Sequence, residues 1–251
     1  MTTFVIIPAR NEAPTLAQVL REVRQHVQDI IVVDDFSSDR TAEIANKEKA
    51  FVVSFTQRMG KGIAVREGIA IALKRGADRV ILLDGDGQHD PAMIPAFIKE
   101  SDIRPSDQIV GNRFHAASSI PWVRRITNKI MSWHLEQMTG LKLKDSQCGF
   151  RLLPARFLRK CRLETRNFEI ESELLMESAR LGVGISFVNI PVIYGGEKSK
   201  INVFMDTWRW LKFICRSKEG PRLPEDRQPA HDVSRNAKSG GNREQESFFL
   251  H

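Results

Sequence analysis

Four short, mostly apolar runs punctuate the first third of the chain: Phe4–Ile7, Ile30–Val33, Phe51–Phe55 and Val80–Leu83. Short runs of this kind, closed by proline, acidic or glycine residues, read as buried strands emptying into loops. Between them the apolar residues fall on a helical period. Leu16, Val19, Leu20 and Val23 share one face after Pro14 and Thr15, a second helix begins near Arg40-Thr41, and a third spans Lys61–Leu73. Strand–helix alternation with short loops predicts a doubly wound α/β fold built on a largely parallel sheet. A fifth strand is expected at Gln108–Gly111 and a last one at Phe187–Val192.

Sheets of this class bind ligands beyond the carboxyl ends of their strands. Polar clusters fall there each time: PARNE after the first strand, DDFSSD after the second and DGDGQHD after the fourth. In extended backbone Asp84 and Asp86, two apart, would point to the same side. Two carboxylates so placed suit a divalent cation bridging to a phosphate, Mg²⁺ or Mn²⁺ by ligand type. A solvated Asp-Gly turn accounts for the same three residues. The first loop has no GxGxxG, and Gly60-Lys61-Gly62 lacks the GxxxxGK[ST] frame, which excludes the usual dinucleotide and NTPase loops. Asp39 reads as a helix cap, whereas Asp34 and Asp35 divide evenly between capping and hydrogen bonding to a base or ribose. Asp90-Pro91 reads as a cap and first turn of the next helix. His89 carries no assignable role.

Hydrophobic residues at 41% and charged residues at 27% describe an ordinary globular protein. No apolar run approaches the ~20 residues that span a bilayer, and no signal-peptide pattern opens the chain, so the reading is cytoplasmic. Cys148, Cys161 and Cys215 are odd in number and lack CxxC spacing, which indicates neither a disulfide framework nor zinc. Five basic and six acidic residues give 219–251 a net charge of −1, so of the chain's +7 overall, residues 1–218 carry +8. That excess fits an anionic partner: a phosphorylated ligand, an acidic membrane surface or nucleic acid. Paired carboxylates argue against nucleic acid, whose grooves gain little from them.

PARNE, VVDDFSSDRT, MGKGIAVREG and LLDGDGQHDP, followed by DSQCGFRL, FEIESELL and GGEKSKIN, stand in an order and spacing that resembles the inverting family-two glycosyltransferases. The later motifs resemble the branch that makes polyprenyl-phosphate sugars, such as dolichyl-phosphate mannose synthase and dolichyl-phosphate glucosyltransferase. The resemblance covers about residues 4–215. It implies one domain of the GT-A type over residues 1–217, with a nucleotide-sugar half to about 113 and an acceptor half beyond it. The implied reaction moves a hexose from GDP-mannose or UDP-glucose to a polyprenyl monophosphate, with inversion.

By the same resemblance Pro8, Arg10, Glu12, Val33 and Asp35 line the nucleoside pocket. Lys61, Asp84, Gly85, Asp86 and Lys200 meet the rest of the donor. Asp84 and Asp86 hold the metal with Gln88, and Arg113 contacts a phosphate. Relatives carry an arginine where this chain has Ile193-Tyr194, so one donor-phosphate contact departs from the pattern. Ile120–Met138 mixes Trp122, Trp133 and isoleucines with Arg124, Arg125 and Lys129, a pattern shared by interfacial helices and by helices packed on a sheet. The resemblance gives the acceptor phosphate to Arg124 or Arg125. A second such helix is expected at Val203–Ile214, and residues 218–251 read as disordered. Membrane contact would then be peripheral.

Two rival readings stand beside this one. A family-two enzyme acting on a saccharide hydroxyl would need a catalytic carboxylate, for which Asp145 and Glu169 are candidates. A silent lipid- or nucleic-acid-binding module would use the basic core alone. Glu169 and Glu171 also suit the positive end of the helix they open, and Cys148 beside Gly149 reads as a small packed residue.

Overall fold

The computed structural model describes residues 1–114, 122–191 and 193. Seven strands form one sheet: β1 Thr3–Ala9, β2 Asp29–Asp34, β3 Phe51–Ser54, β4 Arg79–Leu82, β5 Gln108–Asn112, β6 Arg151–Pro154 and β7 Ile185–Asn189. Their order is β3-β2-β1-β4-β6-β5-β7. The helices are α1 Ala13–Arg24, α2 Thr41–Lys47, α3 Lys61–Lys74, α4 Ile94–Ile103, α5 Trp122–Thr139, α6 Ala155–Leu158 and α7 Ile170–Leu181. Pro91–Met93 forms a 3₁₀ turn whose first N–H pairs fall to Asp90, as Asp90 Oδ1 accepts from Ala92 N at 2.9 Å.

The central strands are buried on both faces, and their period-2 alternation sorts the side chains into two cores. Val5, Ile7, Val32 and Ile81 pack with Leu16, Val19, Leu20 and Val23 of α1 and with Phe97 of α4. Phe4, Ile6, Ile31, Val33, Val80 and Leu82 pack on the other face with Ala64, Val65 and Ile69 of α3 and with Leu174 of α7. The predicted mostly parallel α/β sheet is thus the observed one.

Of the boundaries that differ from the sequence reading, three are the most informative. The first strand continues through Pro8 to Ala9, because Pro8 and Ala9 stay in register with Val33 and Asp34. The last strand begins at Ile185 rather than Phe187 and ends at Asn189. Gly182, in the left-handed conformation at φ 71°, stops α7, and the five residues of β5 set the length of their partner. Asp84 and Asp86 do not share one strand: β4 ends at Leu82, and Asp86 lies in a turn where its Oδ1 accepts from Gln88 N beside Gly87 at φ 71°. Alternation along a strand therefore cannot be what aligns the two carboxylates.

One strand matters most for the site. β6 lies antiparallel between β4 and β5, pairing Leu82 with Arg151 and Arg79 with Pro154. Its amino end therefore sits at the carboxyl end of β4. The segment Asp145–Phe150, which leads into β6, is delivered to the same sheet edge as Asp84.

Candidate active site

Asp84 stands just past β4, and its Oδ1 lies 2.7 Å from Lys61 Nζ. The same ammonium lies 2.8 Å from Glu171 Oε1. Lys61 is the first residue of α3 and Glu171 belongs to the first turn of α7, so three elements converge on one cation. Burial disfavours the ammonium, yet the two carboxylates outweigh burial and raise the Lys61 pKa above the ordinary lysine value. Burial also pushes the Asp84 carboxyl up, but Lys61, with Arg113 further off, holds it below the usual carboxylate range. Asp84 is an anion at neutral pH.

The other Asp84 oxygen explains a glycine. A Cβ built on Gly149 would fall 2.5 Å from Asp84 Oδ2, so this residue leaves the carboxylate its place. Pro8, Lys61, Asp84, Gly149 and Glu171 line a cavity of about 10 Å³ at this point. Arg151, fully buried, fastens the surrounding loops. Its guanidinium donates to the carbonyls of Cys148, Glu171 and Ser146, each at 2.7 Å. Replacing it with methionine would strand three buried carbonyls, and lysine cannot reproduce the planar fork. Arg151→Met is expected to cost about 3–5 kcal/mol, read from urea unfolding, with Arg151→Lys nearly as damaging.

The residues expected to line a nucleoside pocket sit at the carboxyl ends of β1 and β2. Asp35, 5% exposed, accepts from Met59 N at 2.6 Å and Gly60 N at 3.0 Å, which ties the end of β2 to the start of α3. Asp34 accepts from the Ser37 main chain and hydroxyl. Asp39 accepts from Thr41 N and Ala13 N, the first residues of α2 and α1, but from one residue before the α2 N-cap, which is Arg40. Arg10 and Glu12 are half-buried on the loop after β1, and Gly85 O accepts from Thr15 Oγ1 at 2.8 Å. The Val33 side chain is fully buried in the core, which leaves its main chain as the part that can meet a nucleoside. Phe36, at the loop tip, is 52% exposed and holds a left-handed φ of 59°.

At the end of β5, Arg113 is not a solvated surface group. Its Nε and Nη2 donate to Asp145 at 2.7 and 2.9 Å, and Asn128 of α5 donates to the same carboxylate at 2.8 Å. Burial would raise the Asp145 carboxyl, but Arg113 and Asn128 hold it below the ordinary value. Cys148 is fully buried and its thiol is pushed up to about 12 by burial, which fits a packing role and no nucleophilic one.

His89 gains an environment that its sequence context did not suggest. It is 5% exposed, its ring lies 5.8 Å from that of Phe150, and burial, then Arg113, lower its pKa to about 4. The folded protein therefore keeps His89 neutral where the unfolded chain protonates. Its contribution to stability is complete above about pH 6.5 and is lost as pH falls towards 4, by about 3 kcal/mol. Urea melts in EDTA across that window are expected to show this loss in the wild type and a shallower one in His89→Gln.

Beside Arg113, a groove of about 640 Å³ runs along α5, lined among others by Phe114, Arg125, Ile126, Lys129, Trp133 and Lys144. Ile126, Ile130 and Trp133 are 51%, 57% and 58% exposed. Gln88 is half-buried, and its carbonyl accepts from Ile193 N at 3.2 Å, which puts the position of the departed arginine beside the DGDGQ turn. Lys200, the Arg124 side chain, the helix expected at 203–214 and the tail 218–251 lie outside the described residues. Among the described residues, no cluster of three or more His, Cys, Asp or Glu side chains could hold a metal ion by itself. No helix among them is long and apolar enough to cross a membrane.

Asp84, Lys61, Arg113 and the Asp35 loop are thus gathered at one sheet edge. The engagement of Lys61 by Glu171, the clearance at Gly149 and the Arg151 lock are features that sequence reasoning missed. The one signal for Glu171 was its place, like that of Lys61, in the first turn of a helix within a motif.

A mostly parallel sheet with an acidic turn beyond its central strand, and one reversed strand bringing a second loop to that edge, is the frame of a GT-A type glycosyltransferase. The chain belongs to glycosyl transferase family 2, whose sequence profile matches residues 4–162. It is 30% identical to an undecaprenyl-phosphate mannosyltransferase of Micrococcus luteus, over 77% of this chain and 84% of that one. It is 28% identical to a UDP-N-acetylglucosamine–dolichyl-phosphate N-acetylglucosaminyltransferase of Methanococcus voltae, over 76% and 85%. Among solved structures it resembles glucosyl-3-phosphoglycerate synthase of Mycobacterium tuberculosis in complex with Mn²⁺, UDP-glucose and phosphoglyceric acid. The TM-score is 0.71 at 20% identity, covering 88% of this chain and 81% of that one, a likeness of fold.

Proposed function

We propose that this chain transfers a hexose from a nucleotide sugar, GDP-mannose or UDP-glucose, to a polyprenyl monophosphate, with inversion at the anomeric carbon. The observation that carries this reading is the groove on α5: cations at Arg125, Lys129 and Lys144 border exposed Ile126 and Trp133, a match for a phosphate joined to an apolar chain. Both relatives named above are described as using a polyprenyl phosphate, which supports the acceptor class.

The acceptor phosphate is already ionised near neutral pH, so attack on the anomeric carbon needs no strong general base. That suits the state of Asp145, which Arg113 and Asn128 occupy and keep ionised at low proton affinity. A saccharide-hydroxyl acceptor would need such a base, and Asp145 is ill placed to serve. Pro8, Arg10, Glu12, Val33 and Asp35 would seat the nucleoside. Asp84 and Asp86, with Gln88, offer the hard oxygen donors that Mg²⁺ or Mn²⁺ prefer, but too few for a cage without phosphate oxygens. Such an ion, when bound, neutralises charge that develops on the departing diphosphate. Arg113, Arg124 or Arg125 would hold the acceptor phosphate, and Lys200 the donor's. Positioning and charge neutralisation would supply most of the rate.

Transfer assayed with undecaprenyl phosphate against free glycan acceptors tests this directly. Hexose in the lipid fraction is expected, and transfer to the free glycan alone would overturn the reading. Peripheral docking through α5 forms part of it. Trp133→Ala is expected to weaken sedimentation with anionic vesicles about tenfold while leaving nucleotide binding intact.

A further inference from the structure

We infer that Lys61 is a built-in counter-cation of the DGD turn: its ammonium occupies the charge of Asp84 and Glu171 when no nucleotide is bound, and so makes divalent-cation uptake depend on the donor's diphosphate. The inference rests on the proposed role of Asp84 at the metal and says what sets the order of binding there.

The placement is built into the fold and is not a chance surface pair. Nζ lies 2.7 Å from Asp84 Oδ1 and 2.8 Å from Glu171 Oε1, with the Lys61 side chain 15% exposed and that of Glu171 8%. The glycines on either side let the start of α3 press against the chain leading into α7. A Cβ at Gly60 would fall 2.3 Å from Arg166 O, one at Gly62 would fall 2.5 Å from Thr165 O, and Gly62 N donates to Arg166 O. On its other side Asp84 has room only because Gly149 lacks a Cβ. Neither charge can easily withdraw.

A second observation points to the same spot. Glu171 Oε2 is buried without a hydrogen-bond partner, and Glu171 lines the small cavity together with Lys61 and Asp84. Two carboxylates and one ammonium therefore share a confined place, Glu171 and Lys61 largely shielded from water and the Asp84 side chain 26% exposed. Charges interact strongly there, and a divalent cation drawn to Asp84 meets a fixed positive charge at close range. A nucleoside diphosphate reverses that balance, because it brings several negative charges with its oxygen ligands. Without the ammonium, Asp84 and Glu171 would face one another uncompensated, and a divalent cation would be the natural replacement.

Mn²⁺ titration followed by electron paramagnetic resonance, on folded protein with and without UDP or GDP, tests the inference. The wild type is expected to bind Mn²⁺ tightly only with a nucleoside diphosphate. Lys61→Met is expected to bind it without nucleotide at least about tenfold more tightly than the wild type, and to gain melting temperature on Mn²⁺ addition where the wild type does not. Should Lys61→Met fail to fold, Glu171→Gln is read instead. It leaves Lys61 wholly on Asp84 and is expected to lower the nucleotide-free affinity. Equal nucleotide-free affinities in wild type and Lys61→Met, or an unchanged or raised affinity in Glu171→Gln, would overturn the inference alone. Absence of Mn²⁺ uptake by the wild type even with UDP and GDP would overturn the metal reading and this inference with it.

Discussion

Asp84→Ala is expected to reduce sugar transfer by about 10³-fold or more while costing little stability. Lys61 would keep its pairing with Glu171, so the core around it should hold. The loss would come from the reaction itself, because one of the two carboxylates proposed to hold the divalent cation is gone. Asp84→Asn preserves the shape and one hydrogen-bond acceptor, yet it is expected to fall nearly as far, since a neutral amide binds a divalent cation poorly. Initial rates at saturating donor, with circular dichroism and urea melts on the same samples, separate chemistry from folding. Wild-type turnover in Asp84→Ala would end the catalytic reading of the DGD turn.

Gly149→Ala is expected to cost about 10²-fold in kcat through one methyl group. That methyl would start 2.5 Å from Asp84 Oδ2, closer than nonbonded atoms tolerate. The carboxylate cannot swing away without leaving Lys61, and Gly149 cannot retreat, because the Arg151 guanidinium holds the neighbouring Cys148 carbonyl. The strain should appear both as about 1–3 kcal/mol of lost stability and as a misplaced carboxylate. Gly76→Ala makes a useful contrast. Gly76 has open space around its Cβ position and lies in a turn with φ 83°, so it is expected to show a modest stability cost and unchanged kcat.

Much of the fold was legible because two physical periods repeat along the chain. Alternate residues of Phe4–Ile7 and Val80–Leu82 divide between the two cores, and the leucines and valines of α1 cover one of them. The polar clusters marked the carboxyl edge for the same reason, since a strand buried on both faces must end where polar residues begin. The Asp39 and Asp90 contacts followed from local backbone chemistry, which is written within two or three residues.

What stayed hidden depends on neighbours distant in the chain. Nothing local to Arg151–Pro154 says that this strand runs backwards between β4 and β5, yet that reversal brings Gly149 against Asp84. Lys61 and Glu171 stand 110 positions apart, and their pairing depends on how α3 and α7 pack on one face. His89 looked unremarkable because the ring beside it, Phe150, is distant in the chain. The Asp84–Asp86 spacing misled in the other direction: two-residue alternation belongs to strands, and the strand had already ended.

In the proposed reaction the Asp84 turn would hold the divalent cation that offsets charge on a departing nucleoside diphosphate while a polyprenyl phosphate attacks the sugar. Proton NMR of the lipid product tests it most directly, with GDP-mannose or UDP-glucose as donor and undecaprenyl phosphate as acceptor, in Mn²⁺ and in EDTA. A β-linked hexosyl phosphate is expected in Mn²⁺, and no product in EDTA. An α-linked product, or one formed equally well in EDTA, would contradict it.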